Sequence, residues 1–120
     1  MAIDVGALAQ QILTGFEGVL GPLGTEALGV AKQEATQLAQ SLADIAAARA
    51  GSGISDDQAK ELIAAQMSAS AAVLQAQIGM AELAAKAAVK KGLGILGDVG
   101  LGAIGLGWAA PILQKAIDGF

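Results

Sequence analysis

The sequence predicts an all-α fold: a long antiparallel helical hairpin, with an amphipathic helix before it and a glycine-rich hydrophobic helix after it. Two observations predict this class. Hydrophobic residues make up 54% of the 120 residues, yet only two Phe and one Trp are aromatic, so alanine and leucine supply the apolar mass. These apolar residues recur at steps of three and four, which is the helical period. The length fits a single domain, residues 1–120.

The first predicted helix covers residues 4–20. Its apolar side chains fall on one face, and glutamine, threonine and glutamate fall on the other. Such a helix faces a protein core or lies on a membrane surface, and the pattern leaves both interpretations open. Residues 21–24, GPLG, end the helix because proline and glycine interrupt helical backbone.

The second predicted helix covers residues 25–50 and has the most regular pattern. Its apolar residues follow each other at steps of 3, 4, 3, 4 and 3, the a/d pattern of a coiled coil. Charged and amide residues fall largely outside this pattern. We expect one helix-packing seam, formed by Leu28, Ala31, Ala35, Leu38, Leu42 and Ile45.

A short connection follows. Gly51 is expected to take the left-handed conformation that ends a helix, and Gly53 adds backbone freedom. Ser55 and Gln58 have the spacing of a capping box, which begins the next helix. Because the link is short, we expect the helices on either side to be antiparallel neighbours.

The third predicted helix covers residues 55–91. Its seam contains two successive steps of four, from Ser70 to Leu74 and from Leu74 to Ile78, which is a stutter. Residues 62–81 carry no charge but keep glutamine and serine. This composition occurs in helices within a bilayer and in helices shielded by protein, and it favours the second.

The fourth segment, residues 92–118, begins with a stretch suited to a membrane. Residues 92–113 contain seven glycines and one charge, Asp98, and as a helix would reach about 33 Å, the thickness of a bilayer core. Lys86, Lys90 and Lys91 precede it, where cations meet lipid headgroups. We expect a membrane anchor formed by Leu93, Ile95, Leu96, Val99, Leu101, Ile104, Leu106, Trp108, Ile112 and Leu113.

Asp98 and the glycines leave alternatives open for this segment. A carboxylate in an apolar helix needs a partner or water, so Asp98 contacts another protein or lines a pore, or else is protonated. The glycines permit close contact between helices in lipid. In a water-soluble protein, the same glycines would pack tightly against the first helix.

The composition excludes several chemistries. The chain has no cysteine and no histidine, so it lacks a disulfide, a thiolate nucleophile, a Cys/His zinc site and an imidazole base. The sequence GLGILG at residues 92–97 fits a dinucleotide fingerprint only in its letters, because a helix precedes it instead of a strand. We therefore expect no enzyme activity and no cofactor or metal. The net charge of −4 also argues against direct nucleic-acid binding.

These observations predict a non-enzymatic structural protein associated with a lipid membrane. Its alanine- and glutamine-rich helices beside a glycine-rich hydrophobic end resemble, in composition, phage proteins that travel in virions and conduct DNA through an envelope. That resemblance implies a virion or bacterial inner-membrane location and a role in anchoring, scaffolding or DNA delivery. The expected partners are lipid, further copies of the chain, or other proteins of an assembly. The alternatives are a holin-like or pore-forming protein and a soluble alanine-rich helical oligomer.

Overall fold

A computed structural model describes residues 5–21, 24–51, 53–98 and 109–120. In these residues the chain is helical and contains no strand, which confirms the all-α class. The helices are α1 (Val5–Leu20), α2 (Thr25–Ala50), α3 (Asp56–Val73), α4 (Glu82–Asp98) and α5 (Ala109–Asp118). The first helix ends at Leu20 as predicted, and residue 4, where its prediction begins, lies outside the described residues.

The most extensive helix packing joins α1 to α4, two helices far apart in the sequence. Gly15 of α1 and Gly92 of α4 meet there, so closely that a Cβ atom on Gly15 would lie 2.5 Å from the Cα of Gly92. The fully buried side chains of Ile12 and Phe16 contact Gly92 from α1. The absence of a Cβ at both glycines therefore allows the two backbones to touch.

The predicted seam of α2 faces the interior. Its leucines at 38 and 42, its alanines at 31 and 35 and Ile45 are all buried, and Leu28 packs at the edge of the core. α2 does not pack on α3 alone, since its packing on α1 is more extensive than its packing on α3. The antiparallel pairing of α2 with α3 stays a prediction, although Arg49 Nε and Asp56 Oδ1 lie 2.6 Å apart across their connection.

The single helix predicted over residues 55–91 is wrong. After α3 the chain makes a wide turn of π-helix, Leu74–Ile78, and then turns at Gly79, whose φ is +79°. The π turn coincides with the two successive steps of four, since a wider turn brings residues four apart onto one line. Gly79 takes a left-handed conformation that a side chain would strain, and α4 begins only at Glu82.

The predicted boundary between residues 91 and 92 is also wrong. α4 continues without a break through Gly92 and Gly94 to Asp98. Helical propensity alone would disfavour these glycines. At Gly92, however, the missing side chain allows close contact with α1. Residues 99–108 lie outside the described part of the chain.

The connection between α2 and α3 contains the predicted capping box. The Ser55 amide donates to Gln58 Oε1 at 2.8 Å, and the Gln58 amide donates to Ser55 Oγ at 3.2 Å. Gly51 was expected to be left-handed, and this is wrong, since its φ is −82°. The helix end is closed instead by the Gly53 amide, which donates to the Ala48 carbonyl at 2.9 Å.

The α1–α4 crossing can be tested with two glycines of the same helix. Gly15→Ala should lower the free energy of unfolding by about 1–3 kcal/mol, because its methyl group would overlap the α4 backbone. Gly18→Ala is the control, since a Cβ there meets nothing within 4 Å, and it should stabilise by about 0.5–1 kcal/mol. Urea unfolding followed by circular dichroism measures both. Equal effects of the two changes would contradict the close crossing.

Candidate functional site

A partly buried chain of polar side chains links α2 to α3. Ser41 Oγ donates to Gln66 Oε1 at 3.0 Å, and Gln66 Nε2 donates to Ser70 Oγ at 3.2 Å. Ser70 is fully buried, and its hydroxyl donates in turn to the carboxylate of Glu34. Each donor in this series points toward Glu34, so the hydrogen bonds polarise one another toward the negative charge.

Glu34 is the buried acid at the end of this chain, with 6% of its surface exposed. Burial raises the pKa of its carboxyl above the ordinary value of 4.5, because the charged form loses its hydration. The hydrogen bond from Ser70 favours the charged form and offsets part of that rise. Glu34 is therefore held in the interior at an energetic cost that Ser70 reduces.

Helical spacing brings these groups together. On α2, Glu34 lies four residues before Leu38 and seven before Ser41, so all three share one side of the helix. On α3, Gln66 and Ser70 are four residues apart, so their side chains are neighbours on one face of that helix. The sequence pattern does not predict this site, because Glu34 falls outside the seam of α2 and a charged residue normally faces solvent. Its spacing of four residues from Leu38 was the available signal.

An open groove of about 400 Å³ lies between α2 and α3, beside the polar chain. Ser41 and Gln66, which belong to that chain, line one part of it. The other lining residues are the aliphatic side chains and one acid: Ile45, Ala48, Leu62, Ala65 and Asp44. Leu62 is 47% exposed at its wall. The groove therefore offers apolar contact with a single carboxylate at its rim.

The polar chain joins two helices and keeps its potential nucleophile away from solvent. Ser70 is a potential nucleophile beside a carboxylate, but it is 0% exposed, so no substrate reaches its hydroxyl in this conformation. In the described ranges, no group of three acidic residues is placed to hold a metal ion. A hydrogen-bonded polar chain that ends on a buried acid favours one register between two helices over shifted ones.

The predicted membrane anchor falls into three parts. Leu93 and Ile112 are buried in the core, at 0% and 6% exposure. Ile95 and Leu96 belong to α4 and Leu113 to α5, and the structure does not describe their side chains. The same holds for Asp98 on α4, the predicted pore or partner contact. Val99, Leu101, Ile104, Leu106 and Trp108 lie outside the described residues altogether. Among the helices that are described, none is both long and apolar enough to cross a bilayer.

The three lysines predicted at the membrane surface all lie on α4 and differ in exposure. Lys86 is the most engaged, since its Nζ lies 3.4 Å from Glu82 Oε1 and 5.6 Å from the centre of the Phe120 ring. Lys90 is half-buried and Lys91 is exposed, and neither forms an ion pair with any described residue. Both therefore remain available to an external anion.

Comparison with known proteins identifies no relative. No protein-family model, no curated protein and no solved structure matches the chain. The function is therefore argued from the chain's own residues.

Burial of the Glu34 carboxyl predicts that the stability of the fold depends on pH. A carboxyl whose pKa is raised on folding binds its proton more tightly in the folded state, so folding is favoured at low pH and penalised as the pH rises above about 4.5. Glu34→Gln removes this penalty. The variant should therefore be more stable than the parent at pH 8, with the advantage shrinking toward pH 4, in urea unfolding across the pH range.

Glu17→Gln, a change at an exposed acid of α1, is the matched control for loss of one negative charge. Its stability difference from the parent should vary less with pH than that of Glu34→Gln. If Glu34→Gln is instead less stable than the parent at pH 8, the carboxylate is stabilised in the interior, and the assignment of a net burial penalty is wrong.

Proposed function

We propose that this chain is a non-enzymatic structural protein that attaches to the surface of a lipid membrane and assembles there with further copies. The observation that carries the proposal is the bracketing of an apolar sequence by two core residues. Leu93 and Ile112 are both buried in the helical body, and the 18 residues between them carry one charge, Asp98. Such a sequence gains free energy from contact with lipid.

The bracketing also favours one mode of attachment. Because both ends of the apolar sequence belong to the same folded body, residues 94–111 would enter and leave a bilayer from one side while the body stays folded. A span would require Ile112, and α5 with it, to leave the core. We therefore favour a shallow attachment to one face of the membrane over a transmembrane anchor.

Charge at the two ends supports the same interpretation. Lys91 precedes the apolar sequence and Lys115 follows it, and both side chains are exposed. Lysines in these places meet the phosphates of lipid headgroups, at about 1 kcal/mol each on an anionic surface. The composition's resemblance to phage virion proteins makes a membrane-bearing virion or the bacterial inner membrane the setting that we propose, with a scaffolding or DNA-delivery role.

A soluble helical assembly protein is the second candidate, and the close packing of Gly92 on Gly15 favours it. There the glycines of α4 serve contact between helices, and lipid is not involved. The two candidates differ in whether the full chain binds vesicles.

Flotation of the full chain with vesicles of mixed neutral and anionic phospholipid tests the proposal. The protein should float, and Lys91→Gln/Lys115→Gln should weaken binding about tenfold or more at low salt. Lys32→Gln/Lys60→Gln removes two exposed lysines from α2 and α3 and should bind as the parent does. Failure of the parent to float on any composition would favour the soluble assembly protein.

Asp98 distinguishes attachment from pore formation. A charge at the bilayer centre costs about 2.5–3.5 kcal/mol, and less near the surface, so Asp98→Leu should strengthen vesicle binding severalfold. In the same samples, the parent should release no dye from loaded vesicles. Dye release by the parent that Asp98→Leu abolishes would contradict surface attachment and support a pore.

A further inference from the structure

Two apolar features of the surface have no partner among the described residues of the same chain. The first is Leu83 on α4, 83% exposed. The second is the α2–α3 groove, whose lining includes no residue of α4, so Leu83 of the same chain does not fill it. Burying a leucine side chain is worth about 1.5–3 kcal/mol, so a partner that covers both gains from each.

Lysines predominate beside Leu83 and acids beside the groove, although Glu82 precedes Leu83 and pairs with Lys86 at 3.4 Å, so Lys90 is the cation there without an ion pair among the described residues. Lys86 and Lys90 follow Leu83 by three and seven residues, which places them on the same side of α4. The groove has Asp44 in its lining, and Glu61 is exposed on α3 next to Leu62. Complementary charge steers association and fixes its register.

The outer side of α3 also favours a protein partner over lipid. Residues 62–81 carry no charge, although Ala65, Ala69 and Ala72 in this range are exposed. Small uncharged side chains let a second helix approach closely, whereas an exposed helix face normally carries charges. The acidic rim at Asp44 and Glu61 would be repelled by an anionic lipid surface.

We infer that Leu83 of one copy inserts into the α2–α3 groove of a second copy, with Lys86 and Lys90 facing Asp44 and Glu61. The two surfaces differ, so the contact is heterologous, and repeating it makes a ring or a filament of like-oriented subunits. This inference deepens the assembly part of the proposed function and uses a different side of α4 from lipid binding. Lys91 is turned about 100° around the helix from Lys90.

Because the chain has no cysteine, single introduced cysteines report the contact cleanly. Ala87→Cys lies beside Leu83, and Ala65→Cys lies in the groove. Mixed and oxidised, the two variants should give a disulfide-linked dimer, while each alone should give little. Ala87→Cys mixed with Val19→Cys, an exposed position on α1, is the control and should not link above background.

Sedimentation of the full chain measures the same contact without a crosslink. Leu83→Asp should lower the association constant at least about tenfold, and Val19→Asp should leave it unchanged. Circular dichroism melting checks that both variants fold. The inference is overturned if the parent is monomeric at high concentration or if Ala65→Cys links mainly to itself.

It is also overturned if Leu83→Asp reduces vesicle flotation while self-association is unchanged, because Leu83 would then contact lipid. The outcomes separate the two proposals. Crosslinking without flotation would support the contact between copies and contradict membrane attachment. Flotation without crosslinking would support membrane attachment and contradict the contact between copies.

Discussion

The backbone contact between Gly15 and Gly92 is the constraint on which the rest of the fold depends. It joins residues 77 positions apart, so α2 and α3 must turn back before α4 can reach α1. Ile12 and Phe16 close around Gly92 from α1. Once α4 lies there, the next residue, Leu93, reaches the small void between α2 and α3. One close crossing thus fixes the relation between all the first four helices.

Many of the side chains packed in the interior are small. The specific register between the helices therefore needs another source than the fit of large side chains. Alanines bury little area each, and a core of alanine and leucine tolerates shifts of one helix along another. The hydrogen-bonded series from Ser41 through Gln66 and Ser70 to Glu34 does not tolerate such shifts. A shift would leave the Ser70 hydroxyl and the Glu34 carboxylate without partners in a medium of low dielectric. Burial disfavours the charged form of this acid, and its hydrogen bond with Ser70 favours the observed register over shifted ones.

The sequence predicts the features that depend on local pattern and misses those that depend on distant contacts. The seam of α2 and the capping box at Ser55 follow from spacings within one or two turns. The division of the third helix does not, because a π turn and a left-handed Gly79 become favourable only when α4 has α1 to pack against. Glu34 was missed because charge normally indicates solvent, and only its partner on α3 makes burial tolerable. Gly92 was ambiguous, since a missing Cβ serves lipid and protein contacts equally.

The placement of Leu93 and Ile112 limits what the apolar end of the chain can do. Both ends of this segment belong to one folded body. Deeper insertion into a bilayer would therefore cost core contacts, those around Gly92 at one end and those of α5 at the other. Shallow attachment avoids that loss, and insertion requires it. The proposed assembly through α4 would act on the same balance. A contact that holds Leu83 in a neighbouring copy would also hold α4 in the folded body, and would oppose deeper insertion.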